Sequence, residues 1–152
     1  MSIKYKNILF ICTGNTCRSP MAEAMFKGMI DNIEEGIIVS SAGTSAMSGF
    51  PAASEAVEVM RMKGLDLSKH RSRQVNESII DSADIIYCMT KNHRDILKNR
   101  YPGSSEKIMV LKENEDIFDP IGEPLEVYRQ CALIIEESLK KVFENLFKNK
   151  IK

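Results

Sequence analysis

A cysteine and an arginine lie close together near the start of the chain, in the segment C-T-G-N-T-C-R-S-P at residues 12–20. Five residues separate Cys12 from Arg18, so the backbone between them can curl with its N–H groups pointing inward. N–H groups gathered at the start of a helix favour bound anions, and a guanidinium suits two phosphate oxygens at once. Cys12 would then face the phosphorus as a nucleophile. The segment therefore predicts a cysteine-dependent phosphatase.

Each residue type in this segment has a place in that chemistry. The nucleophilic form of cysteine is the thiolate, which a neighbouring cation and a helix N-terminus stabilise. Ser19 can donate a hydrogen bond to the sulfur and also suits the cap of the next helix, with Pro20 as its first residue. Gly14 is expected to take a backbone conformation closed to residues with a β-carbon, and Asn15 a left-handed one. The predicted phosphate-binding residues are Thr13, Gly14, Asn15, Thr16, Cys17, Arg18 and Ser19.

Three simpler explanations of Cys12 and Cys17 fit the sequence less well. Buried cysteines often only fill a core, but that leaves Gly14, Asn15 and Arg18 without a role. A zinc site would need ligands at short hairpin spacing and a second Cys or His pair, and the sequence has neither. A Walker phosphate loop needs Gly-x4-Gly-Lys-Ser/Thr, and this segment has no lysine. We predict no metal ion and no cofactor.

Asp119 is the second residue whose setting suggests chemistry. It lies in F-D-P-I-G at residues 118–122, between the last predicted strand and the last predicted helix. Asp-Pro by itself is only a common turn dipeptide. Loops at the carboxyl ends of parallel strands meet in one crevice, however, and phosphoryl transfer to sulfur needs an acid for the leaving group. Together with the loop at Cys12, this position makes Asp119 a candidate for catalysis.

Alternating strands and helices are predicted to position these residues. Short apolar runs predict strands at 7–12, 37–41, 83–89 and 107–111. Helices are predicted at 20–30, at 54–63, after Thr90 and after Pro124. This order predicts an α/β fold with a doubly wound, four-stranded parallel sheet and helices on both faces. Ligands in such sheets bind at the carboxyl ends of the strands, where Cys12 lies.

Composition limits the remaining classes of function. The chain has 152 residues, which predicts a single domain over 1–152. It carries 21 Lys and Arg against 21 Asp and Glu, so we expect neither nucleic-acid nor membrane-surface binding. No apolar stretch approaches the ~20 residues of a membrane span. Four cysteines without a signal peptide predict a cytoplasmic location.

The motifs resemble those of the low-molecular-weight protein phosphatase family over nearly the whole chain. The match covers C-T-G-N-T-C-R-S-P-M-A-E-A at 12–24, S-S-A-G-T at 40–44, H-R-S-R-Q at 70–74 and D-P-I-G at 119–122. The first and last of these together are a highly specific pair. The resemblance implies a flavodoxin- or Rossmann-like topology, a monomer and phosphorylated proteins as substrates.

The resemblance also implies roles for individual residues. Asp119 is expected to protonate the leaving group and then to deprotonate the water that hydrolyses a phosphocysteine at Cys12. His70 and Ser41 are expected to join Asn15 in a network that supports the loop. His93, the second histidine, is expected to be an exposed helix residue without a role.

Cys17 is expected to protect the nucleophile from oxidation. A reactive thiolate oxidises first to a sulfenic acid, which a nearby thiol can trap as a disulfide. We therefore predict a reversible bond between Cys12 and Cys17, against the alternative that Cys17 only fills the loop.

Three activities of the family that the chain resembles remain open, and so does one function outside that family. The family includes phosphotyrosine phosphatases, bacterial protein-arginine phosphatases and arsenate reductases. The arsenate enzymes need a further pair of cysteines at the end of the third strand, where this chain has only Cys88. A protein that only binds phosphate would need neither Cys12 nor Asp119.

The choice between tyrosine and arginine depends on the wall of the pocket. Tyrosine enzymes resemble Gly-Asn-Ile-Cys-Arg in the loop, whereas this chain has Thr16 in place of the isoleucine. They also carry aromatic residues after Ser-Ala-Gly-Thr and after Asp-Pro, where this chain has Met47 and Ile121. A polar floor without aromatic faces suits a guanidinium better than a phenyl ring. We therefore predict phosphoarginine as the substrate, with phosphotyrosine as the alternative.

Overall fold

Four parallel strands form the central sheet of the computed structural model, which describes residues 4–33 and 36–147. The strand order is β2-β1-β3-β4. The strands are β1 Asn7–Cys12, β2 Ile38–Gly43, β3 Ile85–Cys88 and β4 Ile108–Val110. The α-helices are α1 Arg18–Ile30, α2 Ser54–Met62, α3 Glu77–Ser82, α4 Lys91–Arg100 and α5 Leu125–Phe147, with a 3-10 helix at Pro102–Lys107. The predicted α/β architecture is confirmed.

The central strand β1 brings Cys12 to the middle of the carboxyl edge of the sheet. β1 pairs with β2 on one side and β3 on the other, and Cys12 lies opposite Gly43. Alternate side chains along β1 enter different cores: Phe10 packs on one face of the sheet, and Leu9 and Ile11 pack on the other. Because both faces are covered, the strand can be apolar at nearly every position.

The helices divide between the two faces of the sheet. The larger core contains buried residues of α1, α2 and α5, whereas the smaller one contains Ile80 of α3 and Leu97 of α4. The turn after β1 therefore runs directly into α1 on the larger-core face, and the turn after β3 runs into α4 on the other face. Both turns open at the same edge of the sheet, so residues of α4 can reach the loop that follows Cys12.

Two predictions about the start of helix α1 are wrong, and one short helix was not predicted. Helix α1 begins at Arg18, not at Pro20, and Ser19 does not cap it, because the cap position is Cys17. The Ser19 hydroxyl contacts the Cys12 sulfur instead. Helix α3 was not predicted. It has only six residues, with two adjacent isoleucines, and a segment of that length is too short to show a helical period.

Candidate active site

Cys12 lies at the base of the loop with two hydrogen-bond donors directed at its sulfur. The side chain is almost fully buried, with 2% of its surface exposed. Ser19 Oγ lies 2.9 Å from Cys12 Sγ, and the backbone N–H of Asn15 donates to the same sulfur at 3.3 Å. Both donors stabilise a negatively charged sulfur, which is the form that attacks phosphorus.

Asn15 is the central support of the loop. It is fully buried and has a φ of 57°, the left-handed conformation that was expected of it. Its Nδ2 donates to Ser19 Oγ and to Ser41 Oγ, each at 2.9 Å, and its Oδ1 accepts the backbone N–H of Arg73 at 3.0 Å. Since Ser19 Oγ accepts this bond from Asn15, its own proton is free to point at the Cys12 sulfur.

His70 and Ser41 both contact this support. His70 Nε2 lies 2.8 Å from the backbone oxygen of Asn15. Ser41 Oγ accepts from Asn15 and donates to Glu23 Oε1 at 2.6 Å, and Glu23 in turn pairs with Lys27 at 2.6 Å. The side chain and backbone of Asn15 are thus tied to β2, α1 and the segment before α3. The supporting roles of His70 and Ser41 stay predictions.

The glycine that the loop requires is Gly43, not Gly14. Gly14 has no positive φ, and a β-carbon there would meet only Thr16 Oγ1 at 3.8 Å, so the prediction of a special backbone at Gly14 is wrong. A β-carbon on Gly43 would come within 2.4 Å of the Thr13 oxygen and 2.8 Å of Ala46 Cβ. The end of β2 therefore approaches the loop so closely that only glycine fits.

Arg18 joins the loop to the segment that carries Asp119. Its guanidinium is buried, donates from Nη1 to the backbone oxygen of Ile117 at 2.8 Å, and lies 3.4 Å from Asp119 Oδ2 through Nη2. Arg18 and Asp119, which are far apart in the sequence, thus share one crevice, as expected for loops at the carboxyl edge of the sheet. An arginine beside a cradle of N–H groups can bind the oxygens of a phosphoryl group.

Asp119 itself lies in an open turn. The backbone N–H of Ile121 donates to Asp119 Oδ1 at 3.1 Å, and Gly122 follows with a φ of 78°. The Asp119 side chain is 42% exposed, and Ile121 is exposed as well. The carboxylate is therefore within reach of both Arg18 and water. Its roles as acid and base stay predictions.

Cys17 is a buried thiol that contacts the last helix. Its Sγ lies 3.3 Å from the hydroxyl of Tyr128 and 3.8 Å from Thr16 Oγ1. Burial raises the pKa of Cys17, so its thiol is protonated at neutral pH. Cys12 and Cys17 are both free thiols in the structure, and the predicted disulfide between them stays a prediction.

A half-buried threonine of the loop contacts a segment that carries exposed apolar side chains. Thr16 is half-buried, and its backbone oxygen accepts the N–H of Ala53 at 2.9 Å. The segment around Ala53 therefore touches the loop, and Phe50 on that segment is half exposed. Met47 is also exposed. Phe50 was not among the predicted pocket residues, although its place a few residues after Ser-Ala-Gly-Thr was the available signal.

The prediction for His93 is wrong: this histidine is buried and contacts the loop. Only 3% of its surface is exposed. Its Nε2 lies 2.7 Å from Thr13 Oγ1, and its Nδ1 lies 2.9 Å from Thr90 Oγ1. Burial, with a smaller effect of the Arg18 charge, lowers the pKa of His93 to about 4. The sequence signal was Thr90, a helix cap at the carboxyl end of a strand, which directs the first turn of α4 towards the loop.

Within residues 4–33 and 36–147, no helix is long and apolar enough to cross a membrane. The same residues contain no group of three or more His, Cys, Asp or Glu side chains arranged to hold a metal ion.

Comparison with known proteins gives consistent matches over almost the whole chain. The family model described as low molecular weight phosphotyrosine protein phosphatase matches residues 7–152. A protein-arginine-phosphatase of Bacillus subtilis (strain 168) is 36% identical over 149 residues, which are 95% of this chain and 99% of the relative.

Solved structures agree with that match. A mutant of the YwlE arginine phosphatase with a phosphorylated active-site serine superposes with a TM-score of 0.89 at 35% identity, over 95% of this chain and 97% of that chain. A low molecular weight protein tyrosine phosphatase from T. tengcongensis has a TM-score of 0.88 at 41% identity, over 92% of this chain and 99% of that chain.

Proposed function

Because the chain belongs to the low molecular weight phosphotyrosine protein phosphatase family, we propose that it hydrolyses phosphorylated side chains of proteins through a phosphocysteine at Cys12. One observation carries the proposal. The buried Cys12 sulfur, with hydrogen bonds from Ser19 and the Asn15 N–H, shares a crevice with the Arg18–Asp119 pair. A nucleophile, a phosphate-binding cation and a candidate acid are therefore within one site.

The first step transfers the phosphoryl group to sulfur. The Cys12 thiolate attacks phosphorus while the N–H groups of the loop and Arg18 bind the phosphoryl oxygens. The bond from phosphorus to the leaving nitrogen or oxygen breaks, and Asp119 gives that atom a proton. The dephosphorylated side chain leaves, and the phosphoryl group stays on Cys12.

The second step releases inorganic phosphate. Asp119, now a carboxylate, takes a proton from a water molecule as that water attacks the phosphocysteine. The bond between sulfur and phosphorus breaks, and Cys12 returns to the thiolate, which Ser19 and the Asn15 N–H again stabilise. Asp119 ends the cycle protonated, ready for the next leaving group.

We further propose that the phosphorylated side chain is arginine. Thr16 gives the loop a hydroxyl, and Asp119 is the nearby carboxyl group of the site. A guanidinium carries several N–H donors, and hydroxyl and carboxyl oxygens can accept from them where hydrocarbon cannot. The similarity to the Bacillus subtilis protein-arginine-phosphatase supports the same substrate.

Phosphotyrosine is the second candidate, and one observation favours it. Phe50 is half exposed on the segment whose Ala53 touches the loop, and an exposed aromatic ring there can stack on a phenol. The relative from T. tengcongensis is a tyrosine phosphatase, and it is 41% identical to this chain. If tyrosine is the substrate, Phe50→Ala should weaken phosphotyrosine turnover much more than phosphoarginine turnover.

The two other activities fit the structure less well. An arsenate reductase would need an accessible pair of cysteines near the end of β3, and Cys88 there is fully buried within the strand. A protein that only binds phosphate would not need donors directed at a buried sulfur or an acid beside the arginine. Turnover of p-nitrophenyl phosphate distinguishes such a binding protein from an enzyme.

Matched phosphoarginine and phosphotyrosine peptides test the substrate directly, and Thr16→Ile tests its physical basis. Isoleucine adds apolar contact that favours a phenyl ring by roughly 1 kcal/mol. It also removes a polar partner of the guanidinium, which costs about 1–3 kcal/mol. We expect the arginine-to-tyrosine ratio of kcat/KM to fall by about 30- to 10³-fold.

A matched variant separates the two contributions. Thr16→Val removes the hydroxyl at nearly constant volume, so it should reduce arginine turnover without the full gain for tyrosine. An unchanged ratio in Thr16→Ile would remove Thr16 from substrate choice. A wild-type preference for phosphotyrosine would overturn the arginine proposal and leave the phosphatase chemistry intact.

The proposal includes a setting for the enzyme. All four cysteines are free thiols, and a cysteine nucleophile works in a reducing compartment, so we place the protein in the cytoplasm. We propose that it acts as a monomer on phosphorylated proteins and needs neither nucleic acid nor a membrane.

A further inference from the structure

His93 and Thr13 form a contact that the phosphatase chemistry described above does not use. Thr13 is the first residue after the nucleophile, and its side chain is exposed at the loop. Behind it, His93 is buried in the first turn of α4. His93 Nε2 lies 2.7 Å from Thr13 Oγ1 and His93 Nδ1 lies 2.9 Å from Thr90 Oγ1, so both ring nitrogens have hydroxyl partners.

The helix cap favours one of the two neutral forms of the His93 ring. Thr90 Oγ1 caps α4 by accepting the backbone N–H of His93 at 3.1 Å. Within the described residues, His93 Nδ1 at 2.9 Å is the one acceptor near the Thr90 hydroxyl, so a Thr90 proton that bonds within the protein points there. Nδ1 is then an acceptor, and a neutral ring must carry its proton on Nε2. Nε2–H therefore donates to Thr13 Oγ1.

With Nε2–H as the donor, Thr13 Oγ1 accepts this bond, and no other residue within 4–33 and 36–147 forms a hydrogen bond with the Thr13 hydroxyl. We propose that His93 is a positioning residue that fixes the Thr13 hydroxyl as a hydrogen-bond donor to the phosphorylated group of the substrate. A hydroxyl that accepts from a buried N–H and donates to an anion is also polarised by its neighbour. The Thr90 cap of α4 thereby influences substrate binding through the side chains of His93 and Thr13.

Burial keeps the His93 ring in the neutral form that this arrangement needs. Burial and Arg18 lower the pKa of His93, while Asp119 and Asp116 raise it by less. With a pKa of about 4, the ring is neutral at the pH of the cell, and Nδ1 can accept. A protonated ring would instead donate from both nitrogens and would compete with the Thr90 hydroxyl proton.

The inference rests on the proposed phosphatase function but not on the choice of arginine. p-Nitrophenyl phosphate has no guanidinium, so it serves as the probe. Thr13→Val should raise KM about tenfold through the lost hydrogen bond to an anion, with kcat changed less than about threefold. Thr13→Ser keeps the hydroxyl and should stay within about threefold of the wild type.

A double-mutant cycle tests whether His93 acts through Thr13. His93→Leu should also raise KM, and the double variant with Thr13→Val should be no worse than Thr13→Val alone. Asn92→Ala, at an exposed neighbouring position of α4, is the matched control and should behave as the wild type. An unchanged KM in Thr13→Val, or additive effects in the double variant, would overturn the proposal.

The tautomer can be measured without any activity. A two-bond proton–nitrogen spectrum of the wild-type protein should show the His93 ring protonated on Nε2 at pH 7. With only two histidines in the chain, a His70→Gln sample assigns the signals. A ring protonated on Nδ1 would contradict the proposal even if His93→Leu fails to fold. Absence of p-nitrophenyl phosphate turnover in the wild type would instead contradict the phosphatase function.

Discussion

The loop after Cys12 and the turn that carries Asp119 meet at Arg18, but they are held in different ways. Asn15 at the centre of the loop is fully buried, with its side-chain amide and its backbone oxygen all bonded to protein partners. Asp119 is partly exposed, and its own turn supplies one backbone donor, the N–H of Ile121. The two regions thus meet at one residue but differ in how many hydrogen bonds hold them.

The difference follows from what each region must do. A site that stabilises charge on phosphorus works best when its donors are already oriented, because no reorganisation is then needed during the reaction. An acid that serves both a departing group and an incoming water must reach two positions. Partial exposure and a turn with few bonds permit that movement. The largest effects of mutation should therefore fall on the loop, with smaller and more selective effects on the turn.

The strongest test of the loop is Cys12→Ser. Turnover should fall by at least about 10³-fold, because the sulfur makes the covalent intermediate. Binding of inorganic phosphate should remain largely intact, because the N–H groups and Arg18 bind the anion. Calorimetry of phosphate binding beside a rate assay checks both parts. Residual activity above a few per cent would remove Cys12 from the role of nucleophile.

Asn15→Ala tests whether the loop depends on its buried support. The variant loses two bonds donated by the side chain and one accepted by it, and places alanine at a positive φ. We expect the free energy of unfolding to fall by about 3–4 kcal/mol in urea titrations.

Asn15→Gly is the matched control that separates backbone strain from the loss of the side-chain hydrogen bonds. Glycine accepts the left-handed conformation but loses the same side-chain bonds, so it should be more stable than the alanine variant by about 1 kcal/mol. If both variants lost less than about 1 kcal/mol relative to the wild type, the loop would not be the more rigid region.

Asp119→Asn tests the turn, where selectivity is expected. Asparagine cannot donate an acidic proton, so substrates with poor leaving groups should slow by about 10²-fold. p-Nitrophenol needs little protonation to leave, and release from its ester should slow much less. Equal slowing for both substrate types would argue against Asp119 as the acid.

The last expected effect appears only at low pH, where His93 lowers the stability of the fold. Its pKa is lowered to about 4 in the folded protein, below the ordinary value of 6.5, so the unfolded chain binds more protons between these values. His93 therefore destabilises the fold progressively as pH falls from 6.5 towards 4, by up to about 3 kcal/mol, and no further below that.

Comparison with His93→Leu isolates this effect, since the carboxylates titrate in both proteins. As pH falls from 6.5 towards 4, the variant should gain stability relative to the wild type. Above pH 7, the difference between their free energies of unfolding should not change with pH. A difference independent of pH would mean that the buried ring is not the titrating group.

Patterns that are local in sequence predicted most of the fold and much of the site. Strand β1 is recognisable because its apolar run is continuous, and the loop because Cys12, Arg18 and Ser19 have chemical reasons for their spacing. The left-handed Asn15 was also predictable, since few residues other than glycine tolerate that conformation. These features depend on neighbours within a few residues.

The wrong predictions for His93 and Gly14 concern contacts between distant segments. His93 lies on a mainly polar helix, and only the packing of α4 against the sheet brings its ring to Thr13. Gly43 is required because β2 and the loop come together in space, whereas Gly14 stands in the loop without needing its freedom. The sequence shows where a glycine lies but not which backbone approaches it.

That close approach at Gly43 has a consequence for how such a protein can evolve. The obstacle at Gly43 is a backbone oxygen, which no compensating side-chain change can remove, so a library of substitutions there should yield only the parent residue among active clones. Gly103, with nothing within 4 Å and no positive φ, should accept many residues in the same library. Substitutions should therefore be tolerated at Gly103 in the 3-10 helix but not at Gly43, where β2 touches the loop.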